Sequence, residues 1–568
     1  MKSTSTTKEA ELIEQKILEL KPLFGKDLEN RLPGLYRMIA AAGNLLRNGA
    51  AAKRASEELA LELDEVEIGI KKAAAELLGA NGDGVRAPKI DVLEALGNGQ
   101  DGDSDLCVDM LRDRFCFDHA AGRWHRWRDH YWEEDCAGES LEALREIVLV
   151  YKSEAENQAR IRREAAIAGK GTEEKTAQKL EALLLKRIRE LQRYRYKRDI
   201  LILAAAGKNS LGITGEEWDR NPWLLPVKNG VVELKAGTFR PGKPGDFLKT
   251  VAPTEWNSEA KAPAWNDFLW SIFNEDPDLV AYLQRLLGYA ITGLRTEHIL
   301  PILWGKGRNG KGTLLETLAG VLGPLAGPVK AELLLEQGRV RSSAAPDSDM
   351  MALRGRRLAW ASETDEGRKL NAGKVKWLVG GDSLVGRPPY GRREITWTPT
   401  HSLFLLTNHR PKANPLDFAL WERIHLIPFA LSFVDDPRGP SERKRDPDIG
   451  EKLKAEAPGI LTWLVEGCRI WQKRGLDPPE VVKAATREYR QEEDDIGRFI
   501  DEIAVVADFA RVQASKLYGK YEEWAKENGI EALSGRFFSR YIREQYEAKR
   551  GSGGVVFYHG LGLREENN

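Results

Sequence analysis

The sequence has 568 residues, room for about three to five domains of ordinary size, and 42% of them are hydrophobic, with 16 Trp, 14 Tyr and 16 Phe. Wholesale disorder, a collagen-like chain and a small disulfide-stapled scaffold are thereby excluded. Lys and Arg number 86 against 87 Asp and Glu, so a nucleic-acid site has to be local; four cysteines fit a reducing compartment, and no apolar run reaches the roughly 20 residues of a membrane helix.

From about Lys8 to Leu78 an Ala/Leu/Glu/Lys-rich pattern with helical spacing predicts an all-helical N-terminal region, taken as 1–95. Turn formers gather at Gly79–Gly84 and again at Asn98–Asp103, which reads as a polar boundary opening a small α+β domain over 96–256. Between Phe115 and Asp135 short aromatic runs around Ala121-Gly122 and Arg128-Asp129 predict small strands and tight turns. Cys107, Cys116, His119, His125, His130 and Cys136 crowd this stretch and raise zinc, but no C-x2–4-C pair accompanies the histidines, and Trp124, Trp127 and Trp132 between them favour a packed aromatic sheet. Helical patterns fill Leu141–Leu203, Asn229-Gly230 looks like a turn entering a strand, and Trp265–Gly293 is again helical.

Strand-like Ile299–Trp304 runs into Gly305-Lys306-Gly307-Arg308-Asn309-Gly310-Lys311 and then a helical run. Glycines let backbone N–H groups approach phosphates, the helix N-terminus favours their charge, and Lys311 would reach the outer oxygens, so a nucleoside triphosphate is the expected ligand. Gly305, Gly307, Asn309, Gly310, Lys311, Gly312 and Thr313 form this candidate site; Gly312 stands where a magnesium-ligating Ser or Thr is usual, and Thr313 follows it, turned about 100° away. Arg356–Glu363 reads as a buried strand ending in an acid, which makes Glu363 the candidate for supporting magnesium and activating water, with Asp365 and Glu366 nearby. Two strand-like runs around Pro388-Pro389-Tyr390-Gly391 predict a hairpin with Tyr390, Arg392 and Arg393 at its tip, suited to a nucleic-acid backbone and a base face. His401–Thr407 is a further apolar strand, followed by Asn408 as a candidate nucleotide sensor, and Arg423 precedes another strand, where an arginine can act on a neighbouring subunit's site. Near the C-terminus two helical patterns and Gly551–Phe557 suggest a helix-turn-helix with a β wing, for DNA binding or equally for protein docking, Arg536, Arg540 and Arg543 lining its second helix.

In this order, G-x-G-x-N-G-K, Ala361–Gly367, Lys376 with Gly380-Gly381-Asp382, Thr407–Pro411 and Trp421-Glu422-Arg423 before Ile427-Pro428-Phe429 resemble the superfamily 3 helicase module of phage, plasmid and large-DNA-virus helicase-primases. The resemblance implies a multidomain α/β chain: the helical N-terminal region, the small α+β domain, an AAA+-like P-loop ATPase core with a parallel sheet over 257–475, and a winged helix over 476–568. It implies a hexameric homo-oligomeric ring using ATP and Mg2+ to translocate on single-stranded and forked DNA, in the cytoplasm, or the host's if phage-encoded, with no membrane partner. On it Lys311 grips phosphate, Glu363 and Thr313 attend magnesium, Asp365 is a further catalytic candidate beside Glu363, Asn408 senses nucleotide, Arg423 reaches from the next protomer, and Lys376, Tyr390, Arg392, Arg393, Arg536 and Arg540 meet DNA. Priming is not expected, because Asp101-Gly102-Asp103 reads as a polar turn with no apolar strand before it; a separate primase or replication protein would supply it. A nucleotide-dependent initiator or loader that binds DNA without processive unwinding is the alternative, and a nucleotide-regulated scaffold a third.

Overall fold

The computed structural model describes residues 16–20, 32, 35, 53–59, 61, 66, 88–336, 348–363, 365–387 and 394–564. The helical region expected over 1–95 lies largely outside them, as do Tyr390, Arg392 and Arg393. The chain forms two compact units, one from residues up to 126 with 134–212, the other from 127–133 with 213–568.

The first unit contains α1 (Val92–Gly97), α2 (Gly99–Leu111), β1 (Phe115–Asp118), most of β2 (Arg123–Arg128), α3 (Glu139–Ile167), α4 (Gly171–Leu191) and α5 (Tyr194–Ala204). Asp91 starts α1 by accepting hydrogen bonds from the N–H groups of Leu93 and Glu94, and β1 pairs antiparallel with β2. The polar boundary expected at Asn98–Asp103 is a correction: Gly99 onward is helix, and Asp103 is fully buried in it. The helix is possible because Gly102 sits against α1, where a Cβ would lie 2.1 Å from the Ala95 carbonyl oxygen, and because Asp103 finds donors inside. Its carboxylate accepts from the Tyr151 hydroxyl at 2.6 Å, the Tyr196 hydroxyl at 2.7 Å and the Arg187 guanidinium at 2.6 Å. Around that network Leu106, Met110, Leu144, Ile147, Leu184, Ile188 and Ile200 share one core.

In the second unit Trp132, on β3 (Tyr131–Glu134), donates its backbone N–H to Leu248 O at 2.6 Å and its indole N–H to Pro244 O at 2.9 Å. An antiparallel sheet of β4 (Leu224–Val227), β5 (Gly230–Glu233) and β6 (Thr238–Arg240) follows, then α6 (Pro263–Ile272) and α7 (Pro277–Ala290). The centre is a five-stranded parallel sheet of β7 (Leu300–Trp304), β8 (Ala326–Val329), β9 (Leu358–Glu363), β10 (Ser402–Thr407) and β11 (Ile424–Pro428), in the order β11-β7-β10-β9-β8. Its strands are apolar at most positions because both faces are covered. Phe404, Leu406 and Trp360 join Leu314 and Leu318 of α8 (Lys311–Leu322), while Leu403, Leu405 and Ala361 join Val375 and Leu378 of α9 (Ala372–Val379), the period-2 alternation of a strand.

Helix α7 crosses α10 (Ala457–Arg474) at backbone contact: a Cβ on Gly288 would lie 2.1 Å from Cys468 N, and one on Gly467 2.1 Å from Gln284 O. After α11 (Glu480–Glu492) the chain ends in β12 (Ala504–Gln513), α12 (Ala514–Glu527), α13 (Gly535–Gln545), β13 (Glu547–Arg550) and β14 (Val556–Leu563). β14 pairs antiparallel with both β12 and β13, and Phe499, Tyr521 and Phe538 pack beneath. Among the described residues no helix is long and apolar enough to cross a membrane.

Candidate active site

Where β10 and β11 flank β7 the strand order reverses, and the crevice outside the carboxyl ends of such strands is where open α/β sheets take ligands. The loop Gly305–Gly310 leaves β7 there and becomes α8 at Lys311. It needs its glycines: Gly310 has φ +85°, and a Cβ on Gly305 would lie 2.3 Å from the Phe429 carbonyl oxygen. Asn309 is buried and donates to that same carbonyl at 3.4 Å, while Phe433 N–H donates to Arg308 O at 2.7 Å, so Asn309 shapes the loop from inside. Helix α8 starts with no side-chain cap and no acidic residue in its first turn, leaving the positive end of its dipole to an anion. Added Cβ atoms on Gly307 and Gly312 would meet nothing within 4 Å.

Lys311 is buried, its ammonium donating to Gly305 O at 2.5 Å and to Asn408 Oδ1 at 3.4 Å. Burial pushes its pKa down from the ordinary 10.5 to about 8. Glu363, 9% exposed, ends β9 in register with Thr407 of β10, the residue before Asn408. One Glu363 oxygen accepts the Asp365 N–H at 2.8 Å; the other lies 3.6 Å from Arg368 Nε. The fold thus gathers Lys311, Glu363 and Asn408 at one sheet edge. Asp365 enters through its backbone while its side chain is exposed, as is that of Glu366.

Thr313 lines a cleft of about 550 Å3 together with Arg308, Gly310, Phe268, Phe433 and Arg445, and Glu363 does not line it. Arg423 precedes β11 and so sits at the opposite edge of the sheet, roughly 16 Å away at 3.3 Å per residue; its guanidinium donates to Ala419 O at 2.5 Å. Lys376, expected at DNA, is held 3.0 Å from Asp417, the N-cap of the short helix Phe418–Trp421. Leu384–Gly386 and Ile395–Trp397 pair antiparallel as the hairpin pattern suggests, with its tip outside the described residues. Arg536, Arg540 and Arg543 lie on the exposed face of α13, whose Phe538, Tyr541 and Ile542 point into the core, and Arg540 stacks over Phe537 at 4.9 Å.

Two residues near the site had no role in the sequence reading. Arg368 faces Glu363, and Arg410 lies 4.0 Å over the Trp304 ring while pairing with Glu488 at 3.5 Å and with Glu492. Only tertiary folding brings Arg410 to the end of β7. In the first unit the His119 ring nitrogen meets Ala205 O at 2.8 Å and its ring packs 5.0 Å from Phe117, while burial pushes the Cys107 thiol up to about 12. Among the described residues no group of three or more His, Cys, Asp and Glu side chains is gathered for a metal.

Residues 104–274 match the family described as D5 N terminal like. That match covers under a third of the chain. It is similar to "Putative helicase L207/L206" of Acanthamoeba polyphaga mimivirus, 28% identical over 72% of this chain and 43% of that protein. A second relative is "Putative helicase 121R" of Invertebrate iridescent virus 3, 26% identical over 58% of this chain and 37% of that one. The chain thus spans less than half the length of these curated relatives. The apo structure of the NrS-1 C terminal region (305-718) aligns with a TM-score of 0.39 at 10% identity, over 79% of this chain and 96% of that one, a likeness at a level that says nothing of function.

Proposed function

We propose that the chain is an ATP-driven DNA helicase motor of the superfamily 3, AAA+-like kind, acting as a ring of identical subunits on single-stranded DNA at a fork. One observation carries the reading: Lys311, Glu363 and Asn408 meet at the carboxyl edge of a parallel sheet, beside a glycine loop that runs into an uncapped helix. The loop acts as a phosphate-binding loop, with Lys311 on the outer phosphates and the nucleoside end in the adjoining cleft, whose volume suits a ligand of that size. Glu363, beside Arg368 and oriented by the Asp365 N–H, holds and polarises the attacking water, and Asn408 links Lys311 to the strand that bears it.

The residues present fit magnesium bound mainly through nucleotide phosphates and water, the usual manner of that ion: Glu363 supplies one oxygen and Gly312 none. When bound, the ion neutralises phosphate charge. Arg423, too far from its own subunit's site, serves a neighbour's, and the tail acts as a winged helix presenting Arg536 and Arg540 to DNA.

The test is ATP hydrolysis with and without single-stranded DNA. DNA should stimulate turnover, and Lys311→Ala and Glu363→Gln should each lower it at least ~100-fold. The missing hydroxyl at Gly312 favours a second reading, a nucleotide-dependent initiator or loader; ATP-dependent assembly without turnover on any DNA would select it and sink the motor.

A further inference from the structure

The first unit carries a separate concentration of charge in Lys186–Arg198, where Lys186, Arg187, Arg189, Arg193, Arg195, Lys197 and Arg198 stand against the single carboxylate of Glu190. The stretch is the elbow at which α4 ends and α5 begins. Buried Asp103 and the core divide it in two. Arg187 and Tyr196 are drawn onto Asp103, and Ile188, Leu191 and Ile200 into the apolar interior, which fixes the elbow's shape. Left outside are Lys186, Arg189, Arg193, Tyr194 and Arg195, with Lys197 half-buried and the Tyr194 ring 67% exposed.

These outer cations are not spent on the protein. Arg189 reaches only Leu185 O of its own helix, at 3.2 Å, and among the described residues Lys186, Arg193, Arg195 and Lys197 have no carboxylate within ion-pair distance. The first turn of α5 holds no acid. Clustered like charge of this kind destabilises the free fold unless a polyanion meets it. An exposed ring among the cations adds a face on which an unpaired base stacks, something a closed duplex does not offer.

We propose that this elbow binds single-stranded DNA wrapped around the first turn of α5, with Arg193, Arg195 and Lys197 on its phosphates and Tyr194 against a base. The choice of DNA as occupant rests on the helicase reading above; the position of the surface, away from the nucleotide-site residues in sequence and in a different compact unit, does not.

The experiment is fluorescence anisotropy of a labelled oligo-dT of about 20 nucleotides with the full chain across a salt series. Replacing Arg193, Arg195 and Lys197 together by Gln should weaken binding at least ~10-fold at low salt and lower the slope of log affinity on log salt by about 2, at ~0.7 per lost phosphate contact. Tyr194→Ala should weaken it ~10-fold and leave the slope unchanged. Ultraviolet cross-linking of wild type should yield an oligonucleotide adduct on the Tyr194 peptide, a readout that stands even if the triple variant fails to fold. Wild-type affinity and slope in both variants overturn the proposal, as does equally tight duplex binding that is insensitive to Tyr194→Ala. If wild type binds no single strand at all, the helicase reading falls as well; if it binds and the variants bind equally, only the elbow falls.

Discussion

At the scale of single residues the decisive group is the Lys311 amine. With its pKa held near 8 in the fold and 10.5 when unfolded, it sheds its proton earlier in the folded chain. Between those values the unfolded chain binds more protons, so this group's contribution to stability rises with pH there and is at its least favourable below 8, where the folded chain keeps a buried amine charged. A phosphate beside the amine reverses the shift, so ATP binding near pH 8 to 9 should take up protons. Calorimetry in buffers of different ionisation enthalpy measures that uptake, and Lys311→Ala should remove it. Gly312 gives a second prediction. Because a Cβ there meets no atom within 4 Å, Gly312→Ser should fold at least as well, by about 0.5 kcal/mol in helix preference, and one added oxygen should shift the magnesium dependence of hydrolysis about tenfold lower. Asp103 belongs to the same scale. Asp103→Ala leaves Arg187 with Glu190 at 3.3 Å as its remaining carboxylate and takes the acceptor from two phenols, and should cost about 2–4 kcal/mol in denaturant unfolding.

Among elements, what the sequence makes readable is whatever a local pattern encodes. β7, β9 and β10 are short apolar runs ending in Gly305, Glu363 and Asn408, so the strands and the residues at their tips could be read together. The arginine face of α13 was likewise legible from its spacing. Asn98–Asp103 was not, because turn-forming residues became helix through a Gly102 contact with α1 and a carboxylate whose donors lie 48, 84 and 93 positions along the chain. Lys376 shows the same limit from the other side: a cation in a motif meets Asp417 across 41 positions. The α7–α10 crossing makes a prediction at this scale. Neither helix has room for a methyl group at Gly288 or Gly467, and the obstructing atoms are backbone, so Gly288→Ala should cost about 1–3 kcal/mol by overpacking, measured as a lower unfolding midpoint at unchanged slope.

For the molecule as a whole, the proposed function makes the separation of Arg423 from Lys311 along the sheet a test of assembly. Lys311→Ala and Arg423→Ala proteins should each be inactive alone, yet subunits mixed in equal amounts and co-assembled should recover about a quarter of wild-type hydrolysis, the share of interfaces that pair an intact lysine with an intact arginine. No recovery on mixing would confine the reaction to one subunit. Trp132 bears on a different property, the order in which the polypeptide becomes itself. Its backbone and indole partners, Leu248 and Pro244, lie 116 and 112 residues later. At ~5–20 residues per second of synthesis, Trp132 leaves the ribosome roughly 6–23 s before the segment that covers it. For that interval Trp132 has the Trp127 ring 5.4 Å away but lacks the cover of Pro244 and Leu248, so pausing translation between codons 140 and 240 should leave a nascent chain that recruits chaperones, whereas release beyond about residue 250 should not.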